Sequence, residues 1–394
     1  MMATAGSAPL KESLAGGGRS GSARKERDSN LELMRIVLML LIIAHHYVVN
    51  SGVMDLWDMQ TLTPNAVFLE LWGMWGKVCI NAFVMITGYF MCTSRLTWVK
   101  VAKLFGMIYF YKVVLGAVFL ATGWMGIVDF AKLLMTPFRM IDGGFTASFM
   151  VMYLTIPFLN TLLGALSKAQ LRKLLALLLS VFTICTTFFA SSTAFSEVGW
   201  YITLYLIAAY IRLYPARWFG STRATGCFLT ACIALSYLSV IVVMAASSAL
   251  GIEANHAYWF VSDSGKLMAF LTGAAIFLFF KNLDLGQSKV INKVSATVFG
   301  VLLIHANSDA MREWLWGYVV DVQALYLTSP LPLLIVESVF TALVVFAACS
   351  AIDMLRIRFV EKPVFAKVSA NKERIEGWFL RRTAGLRSIV DKVV

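Results

Sequence analysis

Long apolar runs, separated by short polar and basic segments, recur along the whole chain. Ten of them, at 33–50, 66–92, 104–122, 146–166, 172–190, 198–215, 224–250, 266–282, 295–316 and 331–352, predict ten membrane-spanning helices. Lipid offers the backbone no hydrogen-bond partner, so each run must satisfy its own N–H and C=O groups as a helix. A membrane β-barrel needs short alternating strands instead of unbroken apolar runs. The expected fold class is therefore all-α, a polytopic membrane helix bundle. The second run is long enough to tilt or break, and its Gly73, Gly76 and Gly88 permit close packing.

The polar segments orient the bundle. With both termini in the cytoplasm, the inner loops hold Arg95, Lys100, Lys103, Lys168, Arg172, Lys173, Arg212, Arg217, Arg223, Lys281, Lys289 and Lys293. The outer loops hold Lys132, Arg139 and Arg312. That asymmetry is the positive-inside pattern. Residues 1–30, rich in Gly, Ser and charge, read as a disordered cytoplasmic tail, and 31–352 as the membrane domain. Residues 353–394 interleave basic residues with Phe359, Phe365, Trp378 and Phe379, as in a basic amphipathic cytoplasmic tail at the membrane surface.

Composition strengthens this picture. The chain of 394 residues is 59% hydrophobic and 14% charged, against about 25% charged in soluble proteins. Its net charge of +12 follows from topology and the bilayer surface, so no nucleic-acid partner is expected. The six cysteines are scattered without paired spacing and the four histidines are dispersed, which gives neither a disulfide frame nor a metal site.

Candidate chemistry begins in the first helix. Arg35 and His46 are eleven residues apart, about 1100° of rotation and about 16 Å of rise, and so share one stripe. His45 lies about 80° off that stripe. A histidine sunk in an apolar span is costly and points to function, as a group able to act as base and then acid. The competing readings are a structural hydrogen bond for His46 and a snorkelling cation for Arg35. Lys100 and Lys103, with Arg95 nearby, form a cationic cluster that suits a phosphorylated ligand or serves topology alone. Glu70, Lys77 and Asn81 follow one another along the second helix and are candidates for a wet cavity or for structural pairing. Lys112, Lys266 and Glu337 also lie near or within spans, where any two could neutralise each other. In the ninth helix His305 precedes Asp309 by four residues, so that the carboxylate could orient the imidazole.

These segments carry a resemblance. NLELMRIVLMLLIIAHHYVV, with its basic residue and histidine ten positions between, resembles the first helix of the integral-membrane acyltransferases of the acyltransferase-3 family. GKVCINAFVMITGYF and WYITLYLIAAYIRLYP resemble that family's second and sixth helices, and LLIHANSDAMREWLW its ninth-helix segment in members that decorate surface polysaccharides. Where members often show Arg-x-x-Arg after the second helix, this chain reads Lys100-Val-Ala-Lys103, which keeps the charge and loses the bidentate fork. The resemblance covers about residues 30 to 352. It implies an O-acetyltransferase of a bacterial cell membrane, moving an acetyl or short acyl group from acetyl-CoA, a co-substrate and not a bound cofactor, to a hydroxyl of a saccharide acceptor. His46 would serve as general base or covalent acyl relay. Arg35, Lys100 and Lys103 would bind the donor, and Glu70, Lys77, Asn81 and His305 would be cavity or acceptor candidates. The alternative is a transporter or flippase for a lipid-linked or small glycan. The oligomeric state stays open.

Overall fold

The computed structural model describes residues 29–58, 61–135, 144–189, 196–252, 256–371 and 374. The main helices are α1 (Ser29–Val49), α2 (Pro64–Gly73), α3 (Gly76–Met91), α4 (Trp98–Ala121), α5 (Ile127–Leu134), α6 (Phe145–Ala165), α7 (Lys168–Leu179) and α8 (Glu197–Leu213). They continue as α9 (Thr222–Ala249), α10 (Leu267–Asn282), α11 (Lys289–Ser295), α12 (Val298–His305), α13 (Asp309–Arg312), α14 (Val322–Thr328), α15 (Leu331–Arg356) and α16 (Lys362–Ala370). The described residues contain no strand, and the all-α membrane bundle is the observed class. Many helices start where a Ser or Thr can satisfy a free N–H: Thr63, Thr97, Ser196, Ser221 and Ser288 each cap one, and Ser167 forms a full capping box with Gln170.

The predicted runs are all helical, but they are not ten plain spans. Seven helices among the described residues are long and apolar enough to cross a membrane, or eight if a bent pair counts as one span. Helices α8 and α10, at 17 and 16 residues, are shorter. The ninth run is the bent pair: residues 289–305 and 309–328 meet at 98°.

Helix α1 is the hub. It packs against α2, α3, α10, α11, α12 and α15, and Met34, Leu38, Ile43 and Tyr47 on it are fully buried. A helix whose apolar residues are spread around most of its surface belongs at such a position. At the periphery α9 exposes Leu238, Ile241 and Val242, and α15 exposes Val336, Phe340 and Leu343. Exposed aliphatic rows of this kind face lipid in a membrane bundle.

Two breaks shape the interior. The second run breaks between α2 and α3, where a Cβ on Gly76 would overlap the His45 ring. The second break follows His305. Ser308 is extended and caps α13, while the Asn307 amide donates to Leu303 O at 3.0 Å and covers a carbonyl freed at the end of α12. Asn, Ser and Asp in succession are turn formers, and here they outweigh the apolar periodicity on either side.

The last long helix continues past the end of its apolar run. The α15 helix runs on through a π turn, Ile357–Glu361, into α16, and Arg358, Phe359 and Val360 along it are exposed. Asp353 and Arg356 are buried, and Arg356 bridges Asp353 at 2.6 Å and Glu361 at 2.8 Å. Tyr111 of α4 donates to Asp353 at 2.6 Å, and Lys103 pairs with Glu361. The 1–28 part of the amino-terminal tail, Arg139, and the tail aromatics Trp378 and Phe379 lie outside the described residues.

Candidate active site

His46 is on the wall of a cavity of about 1290 Å³. Helices α1, α3, α4, α6 and α12 contribute to the wall, with Ile42, Lys77, Ile80, Phe105, Lys112, Met150 and Leu302 among its residues. His305, ending α12, meets His46 across the bundle: Nδ1 of His46 lies 2.9 Å from Nε2 of His305. Nδ1 of His305 in turn lies 2.6 Å from the Val301 carbonyl oxygen.

That chain assigns the protons. A carbonyl only accepts, so Nδ1 of His305 carries a hydrogen. With both rings neutral, Nε2 of His305 holds a lone pair and accepts from Nδ1–H of His46. Nε2 of His46 is then the ring's free basic nitrogen. His45 is held differently, with Nδ1 on the Gly73 carbonyl at the end of α2. It ties α1 to the α2–α3 break.

The other predicted residues separate into groups. Lys77 is on the cavity wall and is held by two carboxylates, Glu197 at 3.5 Å and Asp263 at 4.0 Å. Burial pushes the Asp263 carboxyl up from its ordinary value, and the neighbouring Lys77 ammonium works against that. Glu70 is buried away from the cavity wall, on the far side of the break, beside Tyr258, whose hydroxyl donates to the Glu70 carbonyl at 2.8 Å. Glu70 and Lys77 do not line the cavity together: they lie in α2 and α3, on either side of the turn at Met74 and Trp75, and only Lys77 is on the wall.

Asn81 is likewise off the wall. It is a buried junction: its amide donates to Ser264 O at 2.8 Å and accepts from Trp200 Nε1 at 2.9 Å. Asn81→Leu would strand the Trp200 donor and the Ser264 carbonyl. It should cost about 2–4 kcal/mol of stability, read as a lowered unfolding midpoint in detergent, with the substitution leaving the cavity wall itself intact. An unchanged midpoint would remove the junction role.

Arg35, Lys100 and Lys103 are not on the wall either. Arg35 binds Glu32 at 2.9 Å, Lys100 donates to the Arg95 carbonyl at 2.9 Å, and Lys103 pairs with Glu361. The wall nevertheless runs down α1 to Met39, one turn from Arg35, and down α4 to Phe105, two residues from Lys103. Asp309 does not orient His305: the helix ends between them, and Asp309 binds Arg312 at 2.8 Å instead. Nor do Lys112, Lys266 and Glu337 neutralise one another. Lys112 donates to the Asn307 carbonyl, Lys266 donates to Thr186 O at 2.6 Å, and Glu337 accepts from Tyr47 and Thr341. No cluster of metal-ligating side chains occurs among the described residues.

Comparison with known proteins adds one match. The sequence fits the acyltransferase-3 family, described as an acyltransferase domain, over residues 28–353. No curated protein and no solved structure matches.

Proposed function

The chain belongs to the acyltransferase-3 family and is a multi-pass membrane acyltransferase; from that premise we propose that it moves an acetyl or other short acyl group from acyl-CoA to a saccharide hydroxyl, with His46 as general base. The observation that carries this reading is the hydrogen-bonded run from the Val301 carbonyl through His305 to His46 at the cavity wall.

In the proposed reaction Nε2 of His46 takes the proton of the acceptor hydroxyl as its oxygen attacks the thioester carbonyl. The C–S bond breaks as the tetrahedral adduct collapses, and the CoA thiolate leaves with the proton returned by His46. His305 is a positioning residue. It fixes the His46 tautomer and spreads part of the imidazolium charge toward the Val301 carbonyl. Donor phosphates are proposed to lie at the end of the bundle that holds Arg35, Lys100 and Lys103, which we place in the cytoplasm. The reach of the cavity to Met39 and Phe105, close to those cations, supports this path. Lys103 would exchange Glu361 for phosphate. A flippase would need the cavity but would make no use of an imidazole held in one tautomer.

The test is release of free CoA from labelled acetyl-CoA by the purified protein with and without polysaccharide acceptor. Release that does not depend on an acceptor would end the acyl-transfer assignment. Within that assay His305→Gln should lower kcat by about 10–100-fold, the range for partners that orient a functional histidine. KM for the donor should stay within a few-fold and the pH profile should shift. An unaltered kcat and pH profile would show that His305 only packs.

A further inference from the structure

Of the cations on the cavity wall that the proposed reaction does not use, Lys77, Lys132 and Arg312 each pair with a carboxylate, whereas Lys112 is bonded to a backbone carbonyl. Lys112 lies past the midpoint of α4, a helix of 24 residues, with its stem in the bundle. A charged lysine at such depth needs a partner or a ligand. Its ammonium donates to the Asn307 carbonyl, which helps cap the break after α12. That uses one of three N–H bonds. The carboxylate in its vicinity, Asp309, is taken by Arg312 at 2.8 Å. Lys132 and Asp129 satisfy each other at 2.9 Å, and Glu313 is the remaining acidic residue on the wall.

Other polar atoms on the same wall are unsatisfied. Asn307 is 3% exposed and on the cavity wall, yet its Oδ1 has no hydrogen-bond partner. Arg312 Nε and Asn50 Nδ2, on the same wall, are buried donors without partners. Each such atom carries a desolvation cost that a bound ligand can relieve. Among these unsatisfied atoms the donors outnumber the single acceptor, Asn307 Oδ1, and Lys112 and Arg312 set two positive charges against the Asp309 and Glu313 carboxylates of the same wall. The set matches an anion flanked by a hydroxyl. Asn307 is two residues beyond His305, so the set borders the histidine pair. A second cavity of about 420 Å³ shares Asn50, Asp309, Arg312 and Glu313 with the first, leaving room for a ligand longer than one sugar.

We propose that Lys112, with Arg312, Asn307 and Asn50, forms an anion subsite that selects acidic saccharide acceptors, those bearing a carboxylate or phosphate on the sugar. The inference rests on the acyl-transfer reading for the word acceptor, but its test is binding alone. The full-length protein in detergent is titrated with cellotetraose and with the matching tetra-β-1,4-glucuronate, which has the same length and linkage. The glucuronate should bind about tenfold or more tighter, as a charge-assisted contact to a desolvated cation would provide. Lys112→Met should reduce that preference to about twofold, while Lys112→Arg keeps most of it. Arg312→Gln is an independent second variant, expected to weaken the same preference in protein that folds normally. Glucuronate against glucose 6-phosphate, compared as competitors, separates a carboxylate from a phosphate.

Equal affinity for the two tetrasaccharides, or no binding of the charged one, overturns the proposal. So does a preference that survives in Lys112→Met and Arg312→Gln. A charge preference without acceptor-dependent CoA release keeps the subsite and removes the transferase chemistry. CoA release that is indifferent to acceptor charge does the reverse.

Discussion

His46→Ala lowers acceptor-dependent release of CoA by about 10²–10⁴-fold, the usual value of a positioned general base. The expectation follows from the geometry of one ring. His46 is tied through Nδ1 to His305 at 2.9 Å, so its other nitrogen is the basic one. Removing the ring leaves the cavity walls, the donor-side cations and Lys112 in place, so KM for acyl-CoA should change by no more than a few-fold. The loss belongs in kcat, because the imidazole acts on a proton that moves only as the C–O bond forms. Added imidazole should restore part of the rate in the alanine variant, since the vacated space is continuous with the cavity. His45→Ala separates position from mere burial. That ring holds the Gly73 carbonyl and fills the space beside Gly76, so its loss should lower stability more than chemistry. Acceptor-dependent turnover by His46→Ala at the wild-type rate would refute the assignment.

The largest stability effect is expected at Arg356. Arg356→Met should destabilise the fold by about 3–5 kcal/mol, the cost of leaving buried carboxylates without their counter-charge. Arg356 is 6% exposed and joins Asp353, fully buried, to Glu361. Tyr111 and Lys103 complete the network, so the lesion would reach α4 as well as α15. Glycine at 300 belongs to the same arrangement, since a Cβ there would overlap the Asp353 carboxylate. The unfolding midpoint of detergent-purified protein should fall by several degrees in Arg356→Met and by less in Arg356→Lys, which keeps charge but loses the fork. If both variants melted with wild type, the network would have to be regarded as a surface pairing.

Much of the fold was legible because lipid allows few solutions. Each long apolar run had to become a helix, and the family's motifs lie on α1, α3, α8 and the α12–α13 break. His46 was legible for the same reason, as an ionisable group with no cheap place in hydrocarbon. The break after His305 was signalled by Asn307, Ser308 and Asp309, yet the apolar period around them suggested one straight helix. The Arg356 network escaped because basic residues after a last apolar run read as surface charge, and nothing local reveals that Asp353 and Arg356 turn back into the bundle. Asn81 and Glu70 read as cavity residues because polarity in a span marks need for a partner without saying which partner is met.

Helical class, membrane residence and the cost of placing Arg35, His46 and His305 in the bundle are properties of the chain alone, set by local hydrogen bonding and transfer from water. Which imidazole nitrogen is free, which partner Lys112 meets and which glycine admits a neighbour were decided only by packing. Those depend on contacts between residues such as His46 and His305, 259 positions apart, and no local pattern encodes a distance across the bundle.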